Sequence, residues 1–75
     1  MGGDGRRVRA VGFNELKRSV TAHSALNWDE RMSDLPGKEG IILQEDPSDN
    51  TAKVRFPPPV AVEAWLPMEA LVDAD

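Results

Sequence analysis

Asn27–Leu43, NWDERMSDLPGKEGIIL, read together with Ala64–Leu71, AWLPMEAL, decides the fold. In the first stretch a Trp and an Arg-Met pair run into Pro36-Gly37, and Gly40 then leads an apolar run. Pro-Gly ends a helical turn firmly, and Gly40-Ile41-Ile42-Leu43 has the β-branched, apolar composition of a strand. In the second stretch Trp65 passes into Leu66-Pro67 and the segment closes on Leu71. Short elements broken by turn residues and anchored by two indoles fit a small, strongly bent β-barrel. No catalytic constellation accompanies them, so the chain reads as a binding or scaffold module.

Upstream, Arg7–Val11 (RVRAV) alternates, with Val8 and Ala10 on one face and Arg7 and Arg9 on the other, which predicts a half-buried strand. Phe13, Leu16, Val20 and His23 then fall at spacings of 3, 4 and 3, the stripe of a short amphipathic helix. Asn14 is the expected N-cap, with Glu15 in the first turn, and the helix fades over Thr21–Ser24. Asn27 is expected to cap a second, shorter turn that aligns Trp28, Met32 and Leu35. Downstream, Pro47-Ser48-Asp49-Asn50 is dense in turn formers. Thr51–Phe56 (TAKVRF) alternates, with Ala52, Val54 and Phe56 inward and Lys53 and Arg55 outward. Pro57-Pro58-Pro59 donates no backbone hydrogen bonds and belongs in a loop or at an edge. Val60–Leu66 resumes as a strand, Pro67–Ala70 is one 3₁₀ turn, and Leu71-Val72 closes a last short strand. The expected fold is therefore mainly β. It is a single SH3-like barrel of about five strands, with a helical insert after the first and a 3₁₀ turn before the last. Residues 1–5 are read as a disordered tail and residues 6–73 as the domain.

Seventy-five residues make one domain, and a chain this short buries roughly 60% of the surface its unfolded form exposes. Without Cys, neither disulfides nor a thiolate-bound zinc can staple it. No apolar run reaches the about 20 residues that span a bilayer, and MGGDGRRVRAVGF lacks the apolar core of a secretory signal. The chain is read as intracellular and cytoplasmic, or as resident in an organelle after loss of a targeting peptide.

Charge is uneven. Residues 1–18 carry five basic residues against two acidic ones, residues 19–75 four against eleven, and the net charge is −4. That balance disfavours a general nucleic-acid binder, including a Tudor- or KOW-like barrel, which would need a basic face against phosphate. Arg6, Arg7 and Arg9 still form a basic patch suited to an acidic partner. The plainer reading makes them solvated charges on an exposed first strand.

Trp28-x-x-Arg31-Met32, Leu35, Gly37-Lys38-x-Gly40-Ile41-Ile42, Ala52–Phe56, Trp65-x-Pro67 and Leu71 together resemble the repeat domains of Mind bomb-type ubiquitin ligases. Those are SH3-like barrels related to the domain shared by Mind bomb and the large HERC ligases. The resemblance covers about residues 8–72 and implies peptide binding in a ligase context. Pro57-Pro58-Pro59, in place of a simple hairpin tip, and the acidic C-terminal half depart from the family pattern.

The residues expected to bind a partner are Trp28, Arg31, Lys53, Arg55 and Trp65, since Trp supplies large contact area and a polar N–H. Against this, both indoles can serve as core, and Arg31 as a structural ion pair with Glu30 or Asp34. Gly37-Lys38-Glu39-Gly40 matches a nucleic-acid-clamping GXXG loop, but it follows Pro36 and enters a strand, so it reads as a β-turn. Asp46, Ser48 and Asn50 open like a calcium loop, yet position 6 is Thr51 and position 12 is Pro57, so that reading fails. His23 stands without Cys or a nucleophile partner, so no metal site, cofactor or catalytic residue is expected. The triple Pro is either a polyproline II ligand or, more simply, a rigid hairpin tip. The leading expectation is a non-enzymatic module that binds a peptide or partner surface. The alternative is a structural accessory subunit of a large complex, as small SH3-like barrels such as the E subunit of photosystem I are.

Overall fold

The computed structural model describes residues 5–24 and 26–74. Five strands, one α-helix and two 3₁₀ turns follow one another: β1 (Arg7–Ala10), α1 (Phe13–Ala22), a 3₁₀ turn at Glu30–Asp34, β2 (Glu39–Asp46), β3 (Thr51–Phe56), β4 (Val62–Pro67), a 3₁₀ turn at Met68–Ala70 and β5 (Leu71–Asp73). The chain is mainly β, in the predicted element order. The expected disordered tail lies, for residues 1–4, outside the described residues. Gly5 does not share that expectation, because its N–H donates to the Ile42 carbonyl at 3.1 Å and prolongs the β1–β2 pairing.

All pairings are antiparallel and form one sheet in the order β4-β3-β2-β1-β5. The ladder runs from β4 to β5 without a pairing between them among the described residues, so the sheet is not closed. The second 3₁₀ turn carries the chain from one edge toward the other, and the Val11 N–H donates to the Ala70 carbonyl at 3.0 Å to hold it beside β1.

Alternation decides which side is buried. Val8, Ala10, Ile42, Ala52, Val54, Phe56 and Leu66 point inward from the strands, Leu16 and Val20 come from α1, Met32 and Leu35 from the first 3₁₀ turn and Ala70 from the second. Together they form one core. Gly40 permits its tightest layer. A Cβ built there would meet Val54 Cγ1 at 2.6 Å, the Arg55 carbonyl at 3.0 Å and Phe56 Cδ2 at 3.1 Å. In the β2–β3 ladder Ile42 pairs with Val54 but Gln44 with Lys53, so Leu43 sits on a β-bulge. As a result Leu43 and Gln44 are both exposed.

Both expected helix caps move. α1 starts at Phe13 after an extended Gly12 (φ −63°, ψ 167°) with no side-chain cap, and Asn14 lies inside the helix. Starting two residues early includes Phe13 in the helix, and its ring lies edge-on against Trp28, centroids 5.7 Å apart at 89°. The 3₁₀ turn is capped by Asp29 in place of Asn27, with Asp29 Oδ1 accepting from the Arg31 N–H at 2.8 Å. The short i→i+3 spacing of that turn sets this choice, because Met32 N–H donates to the Asp29 carbonyl.

Candidate functional site

The outward side of the sheet gathers residues that are far apart in sequence. In the central rung Ile41 of β2 lies opposite Arg55 of β3 on one side and Arg7 of β1 on the other, while Arg55 is also opposite Glu63 of β4. Cross-strand neighbours are about 5 Å apart, so the two arginines straddle an exposed isoleucine at roughly twice that spacing. The rung toward the β2–β3 turn is Trp65–Lys53–Gln44, with Leu43 beside it. The rung at the other end is Glu39–Arg9–Val72.

This face is unusual for the outside of a small domain. Of the four large apolar residues that are exposed among the described residues, Ile41 (39%), Leu43 (41%) and Val72 (50%) all stand on it. Its ladder positions carry Arg7, Arg9, Lys53 and Arg55 against Glu39, Asp46 and Glu63, so it is net basic by one charge on a chain of net charge −4. Arg9 Nη2 reaches Glu39 Oε2 at 2.7 Å and Lys53 Nζ reaches Glu63 Oε1 at 3.7 Å. Arg55 makes no ion pair or side-chain hydrogen bond among the described residues, because its cross-strand carboxylate Glu63 is turned to Lys53. Ion pairs at this level of exposure contribute little stability, about 0–1 kcal/mol, so Arg9 and Lys53 can exchange theirs for a partner's carboxylate. At the turn end Trp65, Leu26, Thr51, Asp46 and Asp49 line a cleft, which makes the boundary of the face acidic.

The register thus joins two groups that the sequence presents separately: Arg7 and Arg9 of the N-terminal patch, and Lys53, Arg55 and Trp65. Arg6 falls on the alternate side of β1 and lies 3.8 Å from Asp73. Trp28 and Arg31 belong to a different neighbourhood. Trp28 is half-buried against the core and Phe13, with Lys17 Nζ over both rings at 5.8 and 5.9 Å. Arg31 pairs with Asp29, Nε to Oδ1 at 3.3 Å, and not with Glu30 or Asp34 as expected. The Arg31 backbone N–H, its side chain and its charge hold the Asp29 carboxyl below the usual carboxylate range. Among the described residues no hydrogen bond, ion pair or ring contact joins Trp28 or Arg31 to Lys53, Arg55 or Trp65. Sequence reasoning missed Ile41, Leu43 and Val72 as surface residues. For Ile41 and Leu43 the only signal was that a two-sided apolar run in β2 needs somewhere for its second side to go; Val72, in β5, had none.

His23 caps the C-terminus of α1, half-buried, and its Nε2–H donates to the Asp49 carbonyl at 2.8 Å. The calcium-like segment is occupied by turn bonds. Asp46 Oδ1 accepts from Ser48 N–H at 3.1 Å and Ser48 Oγ–H at 2.6 Å, and Asp49 Oδ1 accepts from buried Thr51 Oγ1–H at 2.6 Å. No cluster of three or more His, Cys, Asp or Glu side chains able to hold a metal occurs among the described residues. No helix there is long and apolar enough to cross a membrane. Pro57–Val60 forms the β3–β4 tip, where Ala61 N–H donates to the Pro57 carbonyl at 3.1 Å. Comparison with protein-family models, with curated proteins and with solved structures returned no match for this chain.

Proposed function

We propose that this chain is a non-enzymatic protein-interaction module built on an SH3-like barrel, similar in kind to the Mind bomb repeat domains, that binds a peptide or a partner surface on the outer side of its sheet. The strand order, with a helical insert after β1 and a 3₁₀ turn between β4 and β5, supports the barrel reading. The observation that carries the function is the outer face on which Trp65, Lys53, Arg55 and Ile41 stand in shared ladders, with Leu43 exposed on the bulge beside them. Exposed apolar groups rimmed by charge mark interaction surfaces, and aromatic and Arg residues dominate interface energetics.

The reading is tested by selecting random 12-residue displayed peptides against the isolated chain and repeating the binding with Trp65→Ala. The expected result is a monomeric, folded chain that enriches binders. Trp65→Ala should weaken them about tenfold or more, with a melting temperature within a few degrees of the parent. A folded chain that enriches no peptide overturns the module reading. A chain that unfolds on its own and is recovered only with a larger assembly favours the accessory-subunit alternative.

A further inference from the structure

We infer that the partner is an acidic-apolar segment, one whose every second residue is by turns acidic (Asp or Glu) and aliphatic, lying extended over the outer face of the sheet with a carboxylate at Arg55. The inference rests on the interaction-module reading and adds the chemistry of what is bound. Its basis is charge complementarity combined with the period of the face. Along β3 the outward positions are Lys53 and Arg55, two residues apart, and across the central rung Arg55, Ile41 and Arg7 alternate cation, apolar, cation. An extended segment turns every second side chain to one side, about 6.6 Å apart, so acidic and aliphatic residues must take turns at positions i, i+2 and i+4 for both to face the sheet. Placed here it sets carboxylates against guanidinium groups and aliphatic side chains against Ile41, Leu43 and Val72. Arg is suited to this because its planar fork takes a carboxylate in bidentate fashion.

The other occupants fit less well. A second copy docked face to face would set Arg7, Arg9, Lys53 and Arg55 against their own duplicates. A nucleic acid would meet Glu39 and Glu63 within the ladders and the exposed aliphatics Ile41, Leu43 and Val72, where stacking platforms are aromatic. The acidic turn at Asp46 and Asp49 bounds the face beyond Trp65, so the acidic part of the segment must lie toward the Arg55–Ile41–Arg7 rung.

The test is a pair of parallel selections of random 12-residue displayed peptides, one on the parent chain and one on Arg55→Glu. Arg55 is the chosen position because it is exposed and makes no ion pair among the described residues, so reversing it breaks no bond, and the like charge it sets opposite Glu63 costs less than about 1 kcal/mol. The parent pool should be enriched in Asp or Glu and aliphatic residues two positions apart. Its best peptide should bind about tenfold or more weakly to Arg55→Glu and to Ile41→Ser. Its affinity should fall as salt is raised from about 0.05 to about 0.5 M, where charges are screened. Amide shifts on binding should centre on β2 and β3. A pool without acidic enrichment, or a binder indifferent to Arg55→Glu, overturns the inference while leaving the module reading in place. Shifts confined to the Phe13–Trp28 side do the same. So does displacement of the peptide by a random single-stranded 20-nucleotide DNA with shifts on the same strands, or concentration-dependent dimerisation through Ile41. Failure to enrich any peptide removes both.

Discussion

Asp29 shows how a single carboxylate directs the chain at the point where the helical insert meets the sheet. Its backbone is extended (φ −120°, ψ 140°), its Oδ1 accepts from the Arg31 N–H and its carbonyl accepts from the Met32 N–H at 2.8 Å. The Arg31 backbone N–H, and after it the Arg31 side chain, favour the ionised carboxylate and hold it below the usual carboxylate range. A depressed folded-state value adds stability that is present above the unfolded value and is lost as pH falls through the folded one. A carboxyl-detected NMR titration should place the Asp29 midpoint under that of an unfolded reference peptide. In Asp29→Asn the Arg31 amide shift should stay flat where the parent moves. An unshifted midpoint, or an identical Arg31 profile in Asp29→Asn, would count against this account of the cap. Asn27 and Asp29 carry the same capping chemistry two residues apart. Sequence alone could not choose between them, because the choice depends on the 3₁₀ spacing that brings Met32 and Leu35 into the core. Likewise Asn14 has the chemistry of a cap but loses the position to Gly12, because Phe13 must join the helix to reach Trp28.

At the level of elements, the strands were legible where one side is buried. Arg7–Ala10 and Thr51–Phe56 alternate in sequence and alternate in burial, since period two and a single core leave one solution. β2 was legible as a strand but not in its details. Its apolar run hides a bulge at Leu43, and only the register with β3 reveals that Ile41 and Leu43 face outward. The candidate face was unreadable for the same reason, as it is assembled from β1, β2, β3 and β4 and exists only once the register is known. The packing of β1, β2 and β3 hinges on Gly40, which is buried opposite Val8. A methyl group there lies 2.6 Å from Val54 Cγ1 and 3.0 Å from a backbone oxygen, and the backbone cannot yield as a flexible side chain would. Gly40→Ala should therefore lower stability by about 1–3 kcal/mol through overpacking, read by urea denaturation. Gly37→Ala provides a contrast. Its cost comes from a positive φ of 78° with nothing within 4 Å of the added Cβ, so it should strain the turn without disturbing β3 amide shifts. Equal perturbation of β3 by the two variants would show that Gly40 is not the contact that sets the spacing.

For the molecule as a whole, the balance between a small core and an exposed apolar face sets what can be changed. The Cα radius of gyration is 11.2 Å, close to the roughly 11 Å expected of a compact 75-residue domain, so the chain is compact without a partner. Its fully buried apolar set is nonetheless short and includes three alanines, Ala10, Ala52 and Ala70. A core of that size supports only about 3–5 kcal/mol of net stability in the absence of disulfides or metal. Leu16 is completely buried between α1 and the sheet, and truncating such a leucine costs about 2–5 kcal/mol. Those magnitudes overlap, so Leu16→Ala should be largely unfolded at 37 °C, seen as loss of near-UV dichroism and collapse of amide shift dispersion. Ile41→Ser, on the outer face, should cost only about 1 kcal/mol, the span of strand propensity, because Ile41 is 39% exposed and lies outside the core. The pair separates the two roles of apolar residues in this chain: Leu16 holds the fold, and Ile41 belongs to the outer face. If Leu16→Ala melts within a few degrees of the parent, the core has been misjudged. If Ile41→Ser unfolds the chain, the outer face is part of the core and is not open to a partner.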